Sequence, residues 1–190
     1  MSVSASAGPA AGRRYTYADL EAIPEDNVRR EIIDGELIVH ASPVPRHQEA
    51  AGNLFLRLRE YASQAGGKAY FAPLDVYFAE DNVVEPDLMF VRADHLERIG
   101  DKNMQGPPDL VVEISLPSTR RLDLVRKLDL YQRFGVPEFW FVDLEAERVE
   151  VHVLAGDTYP APAILYPGQS LQSAGLPGLS VPVDEALAEE

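Results

Sequence analysis

The chain has no cysteine among its 190 residues. Disulfides, thiolate metal sites and cysteine nucleophiles are therefore excluded, and the absence fits a cytoplasmic protein. No run of about 18 apolar residues occurs, so no segment reads as a membrane-spanning helix. The first dozen residues are mostly Ser, Ala, Gly and Pro, without the basic start or apolar stretch of a signal peptide. They predict a disordered tail over 1–13 and a single domain over 14–190. Positive charge is also scarce, with 17 Lys and Arg against 31 Asp and Glu and a net charge of -14. A protein that grips nucleic acid usually carries a basic footprint, so this balance predicts weak non-specific binding. Basic residues gather only at Arg120, Arg121, Arg126, Lys127 and Arg133, which reads equally well as a solvated helix face. There is no phosphate-binding glycine loop and no nucleophile elbow. His40, His95 and His152 lack metal-ligand spacing, and His47 reads as a surface or capping residue at a helix start.

What is present is ample apolar content, 46% of the chain, enough for one real core. Thr16 can cap a short helix through Ile23. Asp34-Gly35 between two apolar runs is a two-residue hairpin signal. Pro45 to Ala65 has the helical period at Ala50, Leu54, Leu58 and Tyr61, closed by Gly66. Ala69 to Phe71, Leu74 to Phe78 and Val83 to Val91 read as strands. After Gly106-Pro107-Pro108 comes the strand around Glu113. A helix then opens at Pro117-Ser118 and runs to Phe134, followed by strands Glu138 to Asp143 and Val149 to Leu154. Short strands and a brief acidic helix or frayed end close the chain. The order predicts an α/β (α+β) fold, a mixed central sheet flanked by helices.

Three charged residues interrupt this apolar pattern. Asp87 lies in Val83-Val84-Glu85-Pro86-Asp87-Leu88-Met89-Phe90-Val91, and Glu113 in Asp109-Leu110-Val111-Val112-Glu113-Ile114-Ser115. An unpaired buried carboxylate is costly, so each needs a cation, a hydrogen-bond network or a raised pKa. At about 100° per residue, Lys127 shares its helix face with Leu124, Leu130, Tyr131 and Phe134. It emerges from the stripe that should face the sheet. Each residue alone is as readily structural as functional: Asp after Pro suits a turn, a buried Glu can pair with an Arg, and a Lys can snorkel to water.

The ordered combination resembles the PD-(D/E)xK nuclease superfamily, and within it the bacterial Uma family of restriction-endonuclease-like proteins. The resemblance spans roughly Tyr17 to Leu154. It rests on Glu31-Ile32-Ile33-Asp34-Gly35-Glu36-Leu37, Ser42-Pro43 with His47, Glu85-Pro86-Asp87, Leu110 to Ser115, Lys127 with Tyr131, and Gly135-Val136-Pro137-Glu138-Phe139-Trp140. It implies a restriction-endonuclease-like core and a Mg²⁺-dependent endonuclease acting on DNA, with Mn²⁺ able to substitute. Asp87 and Glu113 would hold the metal, with the Ile114 carbonyl as a third ligand. Glu31 could join the metal site or pair with Arg29 and Arg30, and Tyr131 would pack against or orient Lys127. Ser115 stands where the superfamily carries its strand lysine, and the resemblance assigns that role to Lys127 on the next helix. A homodimer follows from the same likeness, since two DNA strands need two sites. Two other classes remain open: a catalytically inactive nuclease fold used for binding or assembly, and another paired-carboxylate hydrolase, for example of glycosides.

Overall fold

The computed structural model describes residues 12–24, 26–115 and 120–189, with side chains set aside at 120–123. The expected N-terminal tail and the expected helix start at Pro117-Ser118 thus fall largely outside the described residues.

A short helix α1 (Tyr17–Glu21) is capped by Thr16 and Asp19. The hairpin of β1 (Arg30–Ile33) and β2 (Glu36–Val39) follows. Its two-residue loop places Asp34 at φ 51° and Gly35 at φ 75°, the backbone that makes a right-twisted hairpin. Helix α2 (Pro45–Ala65) buries His47, Ala50, Leu54, Leu58 and Ala62 along one stripe, and Gly66 ends it at φ 78°. A left-handed end of this kind favours glycine.

Three short strands come next, β3 (Lys68–Phe71), β4 (Val76–Ala79) and β5 (Asn82–Val84), and then β6 (Leu88–Val91). The apolar run Val83 to Val91, expected as one strand, is therefore two. β5 pairs with β1 and β4 in a five-stranded sheet of order β2-β1-β5-β4-β7, where β7 is Met104–Gln105. β6 belongs to a six-stranded sheet with β8 (Leu110–Ile114), β9 (Glu138–Asp143), β10 (Arg148–Val153) and β11 (Ala163–Leu165). The order there is β11-β10-β9-β8-β6-β3. Glu85-Pro86-Asp87 is the crossing between sheets. Pro86 has no N–H to give a ladder, which is why the strand breaks there.

β8 and β9 run parallel, in register from Leu110↔Glu138 to Ile114↔Val142. Their connection includes α3 (Arg120–Arg133), as a parallel pair requires. Side chains alternate across the six-stranded sheet. Leu88, Phe90, Leu110, Val112, Ile114, Trp140 and Val142 pack under α2 and the C-terminal elements. Met89, Val91, Val111, Phe139 and Phe141 pack with Leu130 and Tyr131 of α3 and with Ile33, Val76 and Val84 of the smaller sheet. The fold is thus α+β, with helices on both faces of the mixed sheet. The hairpin of β12 (Ser170–Gln172) and β13 (Ser180–Pro182), with α4 (Val183–Ala186), joins the α2 side. Buried Glu138 fastens the segment after β12. It accepts hydrogen bonds from Trp140 Nε1 (2.6 Å), Ser173 Oγ (2.7 Å) and the Gly175 N–H (2.9 Å).

Candidate active site

The second face of the large sheet carries the clustered charged residues. Glu113 sits between Val112 and Ile114 on β8, so it points away from α2 and towards α3. Lys127 lies one turn before Tyr131 on α3, on the buried side of that helix. Its Nζ reaches Glu113 Oε1 at 3.0 Å. The same Nζ donates to Glu31 Oε1 of β1 at 2.6 Å. Tyr131 donates its hydroxyl to Glu113 Oε1 at 2.5 Å.

Asp87 arrives from the sheet crossing. Its Oδ2 accepts the Ile114 N–H at 2.7 Å and lies 3.2 Å from His47 Nε2. Its Oδ1 is 2.7 Å from Arg29 Nη1. Arg29 also spans to Glu113 Oε2 at 3.8 Å and Glu31 Oε1 at 3.4 Å, and it donates to the Glu85 carbonyl oxygen. Asp87, Glu113 and Lys127 therefore converge on one cluster, with Glu31 and Tyr131 inside it. Ser115 does not take part in that cluster's hydrogen bonds: its Oγ accepts the Leu144 N–H at 3.1 Å. The group shown at Asp87 is the N–H of Ile114, one peptide away from the carbonyl expected as a ligand.

Sequence reasoning did not place three participants at this cluster. His47 is not a surface or capping residue but is buried against Asp87. His40 Nε2 lies 2.8 Å from Glu31 Oε2. Arg29, expected only as an ion-pair partner for Glu31, also touches Asp87. His47 was the one with a signal, because it shares the stripe of Ala50, Leu54 and Leu58.

The electrostatics follow from burial and the two cations. Burial pushes the Glu31 carboxyl up, but Lys127, His40 and Arg29 outweigh it and hold it well below the usual range. Asp87 is likewise lowered against its burial by His47 and Arg29, and by the Ile114 N–H. Burial, with Asp87 and Glu31 close by, raises Glu113 despite Lys127. Burial works against the Lys127 charge, yet Glu113 and Glu31 raise its pKa. Tyr131 is driven well above its ordinary value by burial and by Glu113. Lys127 is therefore a fixed positive charge rather than a proton acceptor.

A cavity of about 30 Å³ lies among Asp87, Glu113, Ile114 and Lys127, room for about one water. It adjoins a cleft of about 950 Å³ whose walls include Leu20, Ile23, Phe55, Phe71 and Glu85. Arg29, His47 and Asp87 border both. Among the described residues no three His, Asp or Glu side chains form a ready metal cage. The donor chemistry nevertheless fits Mg²⁺, which takes oxygen ligands and is commonly held by one or two carboxylates, with water and substrate phosphates completing the shell. Asp87 and Glu113 are the residues that would hold such an ion.

Comparison with known proteins supplies a family and a fold. Residues 16–184 match the Uma2 family, described as "Putative restriction endonuclease". The match covers most of the chain, and the protein belongs to that family. No curated protein sequence matches it. Among solved structures, a protein from Anabaena variabilis, described as a putative nuclease, is similar over 90% of this chain and 97% of its own. The TM-score is 0.76 at 16% identity, a likeness of fold.

Proposed function

We propose that the protein is a Mg²⁺-dependent endonuclease that hydrolyses DNA phosphodiester bonds, with Mn²⁺ able to substitute. The observation that carries this reading is Lys127 Nζ at 3.0 Å from Glu113 Oε1. A helix lysine reaches the strand carboxylate where Ser115 cannot. Asp87 and Glu113 would hold the ion, with the Ile114 carbonyl as a third ligand. When bound, such an ion would neutralise phosphate charge and lower the pKa of an adjacent water.

The chain's own residues supply the rest. The Ile114 N–H and His47 fix the rotamer of Asp87, and Tyr131 fixes that of Glu113. Lys127, held protonated, would orient the attacking water and offset negative charge gathering on the phosphate. Glu31 keeps that ammonium in place from the opposite side. A homodimer with one site per DNA strand belongs to the same reading. Among the described residues no helix is long and apolar enough to cross a membrane.

A second reading has one specific observation behind it. Arg29 already bridges Asp87 and Glu113, so the cluster could be a self-neutralised relic on a binding domain. Incubation with supercoiled, single-stranded and branched DNA separates the two. The endonuclease reading expects nicking in Mg²⁺ or Mn²⁺ that EDTA and Asp87→Ala both abolish. No cleavage of any of these DNAs, with no Mg²⁺ binding by calorimetry, would support the binding domain instead.

A further inference from the structure

We propose that Arg29 is a displaceable internal cation. It occupies the divalent-ion position until an ion binds, and then swings into the adjoining cleft to pair with Glu85 and to meet substrate phosphate. The inference rests on the reading that Asp87 and Glu113 hold a divalent ion.

The argument starts from which oxygens remain open. Asp87 Oδ2 is taken by the Ile114 N–H and His47, and Glu113 Oε1 by Tyr131 and Lys127. The other two oxygens, Asp87 Oδ1 and Glu113 Oε2, face Arg29 Nη1 and Nη2 at 2.7 and 3.8 Å. An ion bridging the carboxylates would need the space that the guanidinium now fills. Arg29 precedes β1 and keeps 25% of its side-chain surface open, and it borders both the small cavity and the cleft. Its present seat is imperfect: buried Arg29 Nε and Glu85 Oε2 both lack a hydrogen bond. They face each other at 4.0 Å. Glu85 lines the cleft but not the small cavity, so a shift towards Glu85 satisfies both groups while vacating the carboxylates. Arginine suits the second position, since its planar fork matches phosphate.

A site whose binding-competent state is only partly populated binds more weakly in proportion. Calorimetry with Mn²⁺ alone on the full chain should therefore show Arg29→Gln binding on the order of tenfold or more tightly than wild type. Arg30→Gln removes the same charge one residue away, where Arg30 is paired with Asp26, and should leave the affinity unchanged. Side-chain ¹⁵N NMR reads the displacement directly. The Arg29 guanidinium resonances should shift and lose their restricted rotation as Mg²⁺ saturates wild type. If wild type binds the ion and Arg29→Gln binds it no more tightly, or the Arg29 resonances stay unmoved, the displacement is wrong and the metal site stands. An equal gain in Arg30→Gln would reduce the effect to net charge and also overturn it. If neither wild type nor Arg29→Gln binds Mg²⁺ or Mn²⁺, the metal reading itself fails and this inference with it.

Discussion

Glu31 is the residue whose removal should disturb the cluster most. Its side chain is 0% exposed and has four partners: Lys127 at 2.6 Å, His40 and the Glu85 N–H at 2.8 Å, and Arg29 at 3.4 Å. Glu31→Ala leaves buried Lys127 with the Glu113 carboxylate, and leaves the Glu85 N–H without the Glu31 oxygen that accepts it. Breaking a buried ion pair by removing one partner costs about 3–5 kcal/mol. Glu31→Gln keeps an acceptor oxygen but loses the charge, and should cost about half as much, since charged hydrogen bonds contribute about 1.5–3 kcal/mol. Urea unfolding in EDTA measures both. With a slope of about 2 kcal/mol/M, the midpoint should fall by about 1.5–2.5 M for Ala and by about half that for Gln, at unchanged slope. The pH dependence has a definite sign. Glu31 is held below its unfolded value, so its contribution is present above about pH 4.5 and lost as pH falls through the folded value. The gap between wild type and Glu31→Gln should narrow on acidification below pH 4.5. A change under about 0.5 kcal/mol for Glu31→Ala, the range of ordinary surface substitutions, would refute the claim that Glu31 anchors Lys127.

Glu85 should act with the opposite sign. Burial, then Asp75, push its carboxyl up to about 7 against the pull of Arg29. The folded state holds the proton more tightly, so stability is lost as pH rises from about 4.5 through 7. In a dry interior this would amount to about 3 kcal/mol, and screening at this partly open position reduces it to on the order of 1 kcal/mol. Metal-free urea titrations at pH 5 and pH 8 should show that loss in wild type and not in Glu85→Gln. A cation that binds only the native state stabilises it, so Mg²⁺ or Mn²⁺ should raise the Tm of wild type but not of Glu113→Gln. Equal shifts in the two proteins would place the ion elsewhere.

The parts of the fold that sequence reasoning reached were those with strong periodicity. Pro45 to Ala65 satisfies the helical period over many turns and ends at a glycine, and the helix has those bounds. Glu138 to Asp143 is apolar and aromatic between turn residues, and it is β9. The run Val83 to Val91 was misread because hydrophobicity is continuous across Glu85-Pro86-Asp87 while the hydrogen bonding is not. Pro86 carried the warning. Its consequence is that Asp87 owes its aim to the Ile114 N–H and His47, not to strand alternation. Lys127 was legible because a charge among Leu124, Leu130, Tyr131 and Phe134 must either snorkel or find an anion. What it found, Glu31 together with Glu113, joins β1 to β8 across two sheets, and no local pattern encodes such a pairing. Arg29 was opaque for the same reason: it reaches Asp87, a carboxylate 58 positions away.

The central claim is that Lys127 serves the point in space that a lysine in place of Ser115 would serve. A transition-state charge partner should affect rate more than ion affinity. The direct measurement is the cleavage rate of Lys127→Ala on a DNA that wild type cuts in Mg²⁺ or Mn²⁺, paired with calorimetric ion affinity. The expected result is a rate loss on the order of 10²-fold or more, with ion binding little changed and part of the rate restored by adding Ser115→Lys. Full cleavage by Lys127→Ala would contradict the account and leave Asp87 and Glu113 without their catalytic partner.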